Sequence, residues 1–263
     1  MTAGLVLDDV TVRYRRRGRP DLVAVDGVSL RVAPGEVVGL VGESGCGKSS
    51  LARAVCGLER ITSGSATFDG RPLAPLTLRA RPAHLRRIQL VFQNPNASLN
   101  PRRRVGSQVE DGRGAHPDGR DKAPRVPELL DSVGLDPAVA VRYPHELSGG
   151  QRQRIAIARA MAAGPGLLIG DEPIASLDAS LQARIATLLR DVSLGTGAGL
   201  LFITHDLSIV RLVADRVVVM RDGRILEEGP TDRVMHAPDH EYTRGLLAAI
   251  PVADGLGRLP GDA

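Results

Sequence analysis

Residues 42–49 read Gly-Glu-Ser-Gly-Cys-Gly-Lys-Ser and match the pattern G-x-x-x-x-G-K-[ST] at every fixed position. Small residues in such a loop let successive backbone N–H groups turn inward and surround phosphate oxygens. The continuous apolar run Val37–Val41 comes directly before the loop, as expected of a parallel strand buried on both faces. A helical stretch, Ser49–Val55, follows and would direct the positive end of its dipole at the same anion. A chance glycine-rich turn is the alternative, but these flanking elements favour a nucleotide-phosphate site.

Two side chains of this loop can act on the phosphates directly. Lys48 can reach the β- and γ-phosphates, and the Ser49 hydroxyl can be a ligand of Mg²⁺. We therefore expect ATP as the ligand and Mg²⁺ as its companion ion. The predicted nucleotide-binding residues are Gly42, Glu43, Ser44, Gly45, Cys46, Gly47, Lys48, Ser49 and Ser50.

A second apolar strand, Leu167–Ile169, leads into the acidic pair Asp171 and Glu172. Ligands of open α/β sheets lie at the carboxyl ends of the strands. We expect Asp171 to hold Mg²⁺ through water, as the acidic partner of Ser49. Glu172 is expected to orient or deprotonate the attacking water. A solvated acidic pair in a loop is the alternative, and the phosphate loop makes the catalytic interpretation the stronger one.

Short apolar runs alternate with helical stretches along most of the chain, which predicts an α/β fold with parallel strands. Between about residues 94 and 146 proline, glycine and arginine become more frequent. We interpret 94–146 as an inserted, mostly helical subdomain that contains a flexible surface loop at Asp111–Lys122. No internal repeat is visible. The predicted strands are 5–12, 23–32, 37–41, 88–92, 167–169, 200–204, 216–220 and 224–228, and the predicted helices are 49–55, 126–133, 149–163, 181–192 and 206–214.

The composition argues against several classes of protein. The net charge is +4, and basic runs such as Arg102–Arg104 are not interleaved with aromatic residues, which make up only 2% of the chain. A nucleic-acid partner is therefore not expected, and solvated faces or contacts with anionic lipids and partner proteins are favoured. Cys46 and Cys56 form no metal-ligand pattern, and no run approaches the roughly 18 apolar residues of a membrane span. With no signal-peptide pattern, a reduced, cytosolic protein is expected.

Residues 147–151, Leu-Ser-Gly-Gly-Gln, resemble the signature motif of ABC ATPases. The serine and the glycines open a predicted helix, and the helix terminus forms a second anion-binding site. The resemblance implies a P-loop NTPase core with an antiparallel β subdomain and an inserted helical subdomain. It also implies that the motif caps the γ-phosphate bound by a partner subunit, so that hydrolysis requires a dimer. The residues expected to act in trans are Ser148, Gly149, Gly150 and Gln151.

Further residues resemble motifs of the same family, in the family's order. Gln93 resembles the Q-loop glutamine, which implies contact with Mg²⁺ and the attacking water, and Asp178 resembles the D-loop aspartate at the dimer contact. His205 resembles the switch histidine that contacts the γ-phosphate, and Tyr14 resembles the aromatic residue that stacks on adenine. The catalytic residues implied are Glu172, His205, Gln93 and Lys48, and the implied Mg²⁺ ligands are Ser49, Gln93 and Asp171.

Two segments resemble one branch of the family, the importers of oligopeptides, dipeptides and nickel. Residues 94–102 resemble the segment after the Q-loop of those importers, and residues 238–251 resemble their C-terminal element. Asn96 and Glu241 depart from the aromatic residue and the proline that are usual at these positions. The resemblance implies import of oligo- or dipeptides, with nickel or another small solute as the alternative.

The resemblance as a whole implies the ATP-hydrolysing motor subunit of an ABC transporter, with an ATPase domain over 1–251 and a short tail at 252–263. The partners it implies are a second, non-identical ATPase subunit, two transmembrane permease subunits and an extracytoplasmic solute-binding protein. The chain would then lie peripherally on the cytoplasmic face of the membrane. A soluble ABC ATPase acting on ribosomes or DNA is a further alternative. However, the twin motor domains, zinc modules or long coiled-coil insertions common in that class are not visible in the sequence.

Overall fold

The structure is a computed structural model that describes residues 4–76, 81–94, 98–175 and 177–249. Short 3-10 turns lie at Arg120–Lys122, Pro137–Val141 and Pro144–Glu146. The strands are β1 (Leu5–Tyr14), β2 (Leu22–Val32), β3 (Val37–Val41), β4 (Ser63–Phe68), β5 (Arg71–Pro72), β6 (Ile88–Phe92), β7 (Leu167–Asp171), β8 (Gly199–Ile203), β9 (Arg216–Arg221) and β10 (Arg224–Pro230). The helices are α1 (Lys48–Val55), α2 (Ala83–Arg86), α3 (Val105–Arg113), α4 (Val126–Ser132), α5 (Gly149–Ala162), α6 (Ala179–Gly195), α7 (Leu207–Val213), α8 (Thr231–His236) and α9 (Glu241–Ala248).

The larger sheet has six strands in the order β10-β9-β3-β8-β7-β6. All its neighbouring pairs are parallel except β9 and β10, which form an antiparallel hairpin. The register aligns Phe92 with Asp171, and Asp171 with Ile203, at the carboxyl ends of three adjacent strands. The residues that follow β3, β6, β7 and β8 therefore emerge at one edge of the sheet. This edge is the crevice in which α/β folds hold their ligands.

The smaller sheet is antiparallel, with the order β2-β1-β4-β5. Its strands cover one face of the parallel sheet together with α1. The helices α5, α6 and α7 pack on the other face, and α3 and α4 pack against α5. The strand β3 shows this directly, because Val37 and Val41 belong to one hydrophobic core while Val38 and Leu40 belong to the other. A strand buried on both faces needs the continuous apolar run that the sequence has at this position. The α/β class with an antiparallel β subdomain is confirmed.

The stretch 98–146 forms helices and 3-10 turns. Its helices α3 and α4 pack mainly against α5. Gly112 shows how closely α3 and α5 approach, because a Cβ atom there would lie 2.4 Å from the Arg159 carbonyl oxygen. The flexible loop predicted at Asp111–Lys122 is wrong in its first part, because Asp111 lies inside α3. Ion pairs hold this region, since Arg103 binds Asp111 at 2.6 Å, and Glu110 binds Arg113 at 2.7 Å.

Several elements were not predicted from the sequence. The sequence predicts no element at the strands β4 and β5 or at the helices α2, α8 and α9, and within the predicted helical insertion it assigns no helix at α3. The sequence of β4, Ser-Gly-Ser-Ala-Thr-Phe, is short of apolar residues because its first three residues are exposed. The helix α3 contains two glycines, which lower helix propensity and here serve close packing instead. Among the helices of the described residues, none has the length and apolar character needed to cross a membrane.

Candidate active site

The phosphate loop, Gly42–Ser49, links β3 to α1 and is held in place by backbone contacts from other elements. Gly47 has a φ of +110°, and a Cβ atom at this position would lie 2.1 Å from the carbonyl oxygen of Ala24. A side chain is therefore excluded there both by backbone conformation and by space. On the other side, the Gly223 N–H donates a 2.9 Å hydrogen bond to the Cys46 carbonyl. The loop is thus fixed between β2 and the β9–β10 turn.

Lys48 is buried, with 5% of its surface exposed. Its ammonium donates hydrogen bonds of 2.7 Å to the Gly42 carbonyl and 2.8 Å to the Glu43 carbonyl. Neutral carbonyl oxygens solvate this buried cation, but they do not neutralise its charge. A phosphate bound in the loop would do both, since a phosphate oxygen is an anionic acceptor. The loop therefore carries a cation that is poised to bind an anion.

Ser49 lies next to Asp171, as predicted. The Ser49 hydroxyl donates a 2.8 Å hydrogen bond to Oδ1 of Asp171. Asp171 is 9% exposed, and burial raises the pKa of its carboxyl, partly offset by the hydrogen bond from Ser49. A buried carboxylate that lacks a cationic partner in contact is costly. A divalent cation at this position would remove that cost.

The oxygen atoms at this point fit Mg²⁺. Mg²⁺ prefers oxygen ligands and is usually held by one or two protein groups together with waters and substrate phosphates. The Ser49 hydroxyl and the Asp171 carboxylate are two such groups, and they adjoin the phosphate loop. Within the described parts of the chain no cluster of three or more His, Cys, Asp or Glu side chains could form a metal cage. The site therefore suits an ion that arrives with a nucleotide.

Glu172 carries the next carboxylate, and its backbone is in the left-handed region with a φ of +48°. This conformation costs about 1–3 kcal/mol for a residue other than glycine. It is held by a 3.0 Å hydrogen bond from the Glu172 N–H to the Ile203 carbonyl. The carboxylate lies between Gln93, whose Nε2 is 3.5 Å from Oε2, and His205, whose Nδ1 is 3.5 Å from Oε1. Three side chains from the ends of β6, β7 and β8 are thereby brought together.

A cavity of about 510 Å³ joins Gln93 and Glu172 to the phosphate loop, whereas His205 lines a second cavity of about 380 Å³ together with Glu172. Tyr14 also lines the larger cavity, and its hydroxyl donates a 3.2 Å hydrogen bond to the Ser50 hydroxyl. The predicted site residues Ser44, Lys48, Ser49, Gln93 and Glu172 also line it. Five further lining residues were not predicted: Leu22, Val23, Ala24, Asp222 and Gly223.

The signature segment lies elsewhere. Ser148 is the exposed N-cap of α5, and it shares a capping box with Gln151, whose N–H donates to the Ser148 hydroxyl at 3.3 Å. Gly150 packs against α6 so closely that a Cβ atom would lie 2.5 Å from Leu181. None of the residues 148–151 lines the cavity at the phosphate loop. This helix terminus is therefore not part of the cavity at the chain's own phosphate loop.

Asp178 caps α6, because its carboxylate accepts a 3.0 Å hydrogen bond from the Leu181 N–H. Ser176, two positions before Asp178, lies outside the described residues, as do Pro95–Ala97 of the segment after Gln93.

One contact at the loop was missed completely. The Glu43 N–H donates a 3.2 Å hydrogen bond to the hydroxyl of Tyr242, which belongs to α9 near the end of the described chain. The Arg221 guanidinium lies over the Tyr242 ring at 4.8 Å from its centroid. The sequence marked this region only as similar to a C-terminal element of certain importers. No pattern in it indicated contact with a loop about 200 positions earlier.

Comparison with known proteins adds the family. The ABC transporter family model matches residues 25–175. The oligopeptide transport ATP-binding protein OppF of Streptococcus mutans is 43% identical over 249 residues, which are 94% of this chain and 81% of that protein. OppF of Escherichia coli is 46% identical over 236 residues, 89% of this chain and 71% of its own. A putative peptide import ATP-binding protein of Brucella abortus is 47% identical over 239 residues, 90% and 72% respectively.

Two solved structures share the fold. The protein CbiO1 of Clostridium perfringens, described as part of the ABC transporter complex CbiONQ, matches with a TM-score of 0.74 at 28% identity, over 90% of this chain and 92% of that one. The dimeric bacterial ABC transporter cassette MJ0796 matches with a TM-score of 0.71 at 28% identity, over 86% of this chain and 98% of that one.

Proposed function

The chain belongs to the family of ABC transporter ATPases, and we propose that it is the motor subunit of an importer of oligopeptides or dipeptides. Membership of this family means that the chain binds and hydrolyses ATP. The substrate class is supported by the three relatives described above, all named for peptide transport or import. The resemblance of residues 94–102 and 238–251 to importers of oligopeptides, dipeptides and nickel is consistent with this substrate class.

Binding of ATP would begin at the phosphate loop. Lys48 exchanges the carbonyls of Gly42 and Glu43 for the β- and γ-phosphate oxygens, which are stronger acceptors. The backbone N–H groups of the loop and the N-terminus of α1 add to this attraction. Tyr14, which also lines the cavity, stacks on the adenine, and the Tyr14 hydroxyl is held by its hydrogen bond to Ser50. These contacts bind and orient the nucleotide without any covalent step.

Ser49 and Asp171 would hold Mg²⁺ beside the phosphates, with Gln93 as the third protein group. When bound, the ion neutralises charge on the β- and γ-phosphates. Glu172 accepts a proton from the attacking water. Gln93 and His205 hold the Glu172 carboxylate from two sides. His205 would also donate to the γ-phosphate. Catalysis on this scheme comes mainly from positioning and charge stabilisation.

The signature segment would complete the site of a second subunit. Its exposed Ser148 and the N–H groups at the start of α5 would form an anion-binding terminus outside the cavity of the chain's own loop. In a face-to-face dimer, Ser148–Gln151 of each subunit would close over the γ-phosphate held by the other, with Asp178 at the contact. The importers that this chain resembles commonly pair two non-identical ATPase subunits, so we propose a heterodimer.

The remaining partners follow from the transport role. Two permease subunits would carry the solute across the membrane, and an extracytoplasmic binding protein would deliver it. The chain would work peripherally on the cytoplasmic face. The ATPase domain would occupy 1–251, with the helical insertion at about 94–146. ATP binding would close the dimer and hydrolysis would reopen it, and this cycle would drive the permeases between their two orientations.

The observation that carries the proposal is the meeting of Ser49, Asp171 and Glu172 at the phosphate loop. Its test is the variant Glu172→Gln, which keeps the shape of the side chain and removes the base. We expect turnover to fall at least about 100-fold and ATP to trap a dimer that is visible by size-exclusion chromatography. Glu59→Gln, a matched change outside the cavity, should behave as wild type.

Each result has a defined meaning. If Glu172→Gln hydrolyses ATP as fast as wild type, the assignment of the base is wrong. If wild type neither turns over nor dimerises alone, an obligate non-identical partner is indicated, and the variant is then compared with wild type in the presence of the subunits that copurify from detergent-solubilised membranes. Proteoliposomes holding those subunits should take up labelled dipeptide or oligopeptide in an ATP-dependent manner. Uptake of Ni²⁺ in place of peptide would overturn the substrate class.

A further inference from the structure

The helix α9 places two side chains of one face against the active site. Tyr242 and Leu246 are four positions apart, so they lie above one another on the same side of the helix. Tyr242 reaches the phosphate loop, while Leu246 lines a cavity of about 380 Å³ together with Glu43, Glu172 and His205. A helix that the sequence marked only by family resemblance thus borders both the phosphate loop and the catalytic carboxylate.

The contact concerns one peptide unit of the phosphate loop. The carbonyl of Gly42 and the N–H of Glu43 belong to the same planar peptide group. Its carbonyl accepts a 2.7 Å hydrogen bond from Lys48, and its N–H donates a 3.2 Å hydrogen bond to the Tyr242 hydroxyl. The peptide is therefore held at both ends. When Lys48 turns to a phosphate, only the bond to Tyr242 remains of these two.

The position of Tyr242 is itself fixed from two directions. The Arg221 guanidinium covers the ring face at 4.8 Å from the centroid, a geometry that is attractive for a cation over an aromatic ring. At the start of α9, the carboxylate of Glu227 accepts hydrogen bonds from the N–H groups of Asp239 at 2.8 Å and His240 at 3.1 Å. The Glu227 side chain is only 4% exposed. The hydrogen bonds to Glu227 thus anchor α9 on β10, and Arg221 at the end of β9 holds the Tyr242 ring. Together these contacts position the Tyr242 hydroxyl at the phosphate loop.

We infer that Tyr242 is a positioning residue for ATP: its hydroxyl holds the Gly42–Glu43 peptide in the conformation that receives the phosphates. A loop that already has its bound conformation loses less conformational entropy on binding, and the affinity for the nucleotide is therefore higher. The hydroxyl acts through the loop and need not touch the nucleotide. The inference rests on the proposed role of the phosphate loop as the nucleotide site.

The test uses Tyr242→Phe in the full chain, because this change removes one oxygen atom and keeps the ring under Arg221. MgADP is the probe, since it engages the loop but cannot be hydrolysed to release a γ-phosphate. Isothermal titration should give a Kd about threefold to tenfold weaker than that of wild type, the effect of one lost hydrogen bond. In steady-state assays with ATP, KM should rise by a similar factor while kcat stays within about twofold.

Tyr143→Phe is the matched control. Tyr143 stacks on His145 at a centroid distance of 5.7 Å and lines no part of the cavity at the phosphate loop. We expect this variant to bind MgADP within about twofold of wild type. An unchanged Kd in Tyr242→Phe, or an equal weakening in both variants, would overturn the inference.

A second measurement separates loop positioning from a general loss of stability. Hydrogen–deuterium exchange of the nucleotide-free protein reports the protection of the Glu43 N–H in the peptide that contains it. Tyr242→Phe should accelerate exchange in this peptide and leave peptides from α3, α4 and α5 unchanged. Unaltered exchange at Glu43 would contradict the inference. The proposed function fails differently, namely if wild type does not bind MgADP or if Lys48→Ala binds it equally well.

Discussion

The Ser49 hydroxyl donates a 2.8 Å hydrogen bond to the carboxylate of Asp171, a residue 122 positions further along the chain. Ser49 is the second residue of α1, the helix after β3, while Asp171 ends β7. The parallel sheet brings these two positions together, because both lie at its carboxyl edge. The contact joins the phosphate-binding half of the site to its acidic half.

The first prediction concerns Mg²⁺. Asp171→Asn keeps the size of the side chain and its ability to accept from Ser49, but it removes the negative charge that attracts the ion. We expect the enhancement of ADP affinity by Mg²⁺ to disappear, with binding in the presence of EDTA retained. Titration with and without Mg²⁺ measures this directly. Asp191→Asn, on the exposed side of α6, serves as the control, and an Mg²⁺ effect of wild-type size in Asp171→Asn would refute the assignment.

The second prediction concerns stability without ligands. Burial raises the pKa of Asp171, so the folded state holds a proton on this carboxyl more tightly than the unfolded state does. The cost of ionisation therefore appears as pH rises from the ordinary pKa of about 3.9 through the raised folded value. At pH 7, Asp171→Asn should unfold at higher urea concentration than wild type. The difference should vanish near pH 4, and an Asn variant less stable than wild type at pH 7 would contradict this prediction.

The third prediction separates the signature segment from the loop. Ser148→Ala removes the N-cap of α5, which costs about 1 kcal/mol of stability. The variant should bind MgADP with the wild-type Kd, because residues 148–151 do not line the cavity. ATP-induced dimerisation and turnover should nevertheless be lost.

Asp136→Ala provides the matched control for this change. Asp136 caps the 3-10 turn at Pro137–Val141 by accepting a 2.8 Å hydrogen bond from the Ala138 N–H. Its loss should cost a similar amount of stability and leave turnover intact. A Ser148→Ala variant that keeps full turnover would show that the segment does not act in trans.

The fourth prediction concerns the anchor of α9. Burial alone would raise the pKa of Glu227, but the hydrogen bonds that its carboxylate accepts outweigh burial and hold the pKa below its usual range. The ionised carboxylate therefore stabilises the fold above the ordinary pKa of about 4.3, and this contribution is lost as pH falls through the lower folded value. At pH 7, Glu227→Ala should reduce the free energy of unfolding by about 1–3 kcal/mol.

Urea unfolding at a series of pH values measures this effect. The gap between wild type and Glu227→Ala should narrow as the pH falls below about 4.3. Glu228→Ala, the exposed neighbour on β10, should cost no more than about 1 kcal/mol, because its ion pair with Arg216 lies near the surface. Equal costs for the two alanine variants at pH 7 would mean that Glu227 does not anchor the helix.

The sequence alone predicts the contiguous motifs and the strands that have a clear apolar pattern. Val37–Val41 was recognised as a doubly buried strand because every one of its residues is apolar, and the structure places it between two cores. The acidic pair was recognised because it follows another such strand. In both cases the information is local, because a short continuous run of apolar residues by itself indicates a buried strand.

Elements with weak local patterns were missed. The helix α3 carries two glycines, which lower its helix propensity, yet packing against α5 stabilises it. The strand β4 exposes its first three residues and shows little alternation. Here contacts with distant parts of the chain decide the conformation, and no short window of sequence contains them.

By itself, then, the sequence determined the phosphate loop, the carboxylates at the strand end and the signature segment, because each is a continuous set of residues whose chemistry depends on its own order. Only the tertiary structure decided that Glu172 lies between Gln93 and His205, and that Tyr242 holds the peptide between Gly42 and Glu43. These contacts join residues from separate strands and helices. Their distances follow from strand register and helix packing, which are properties of the whole folded chain.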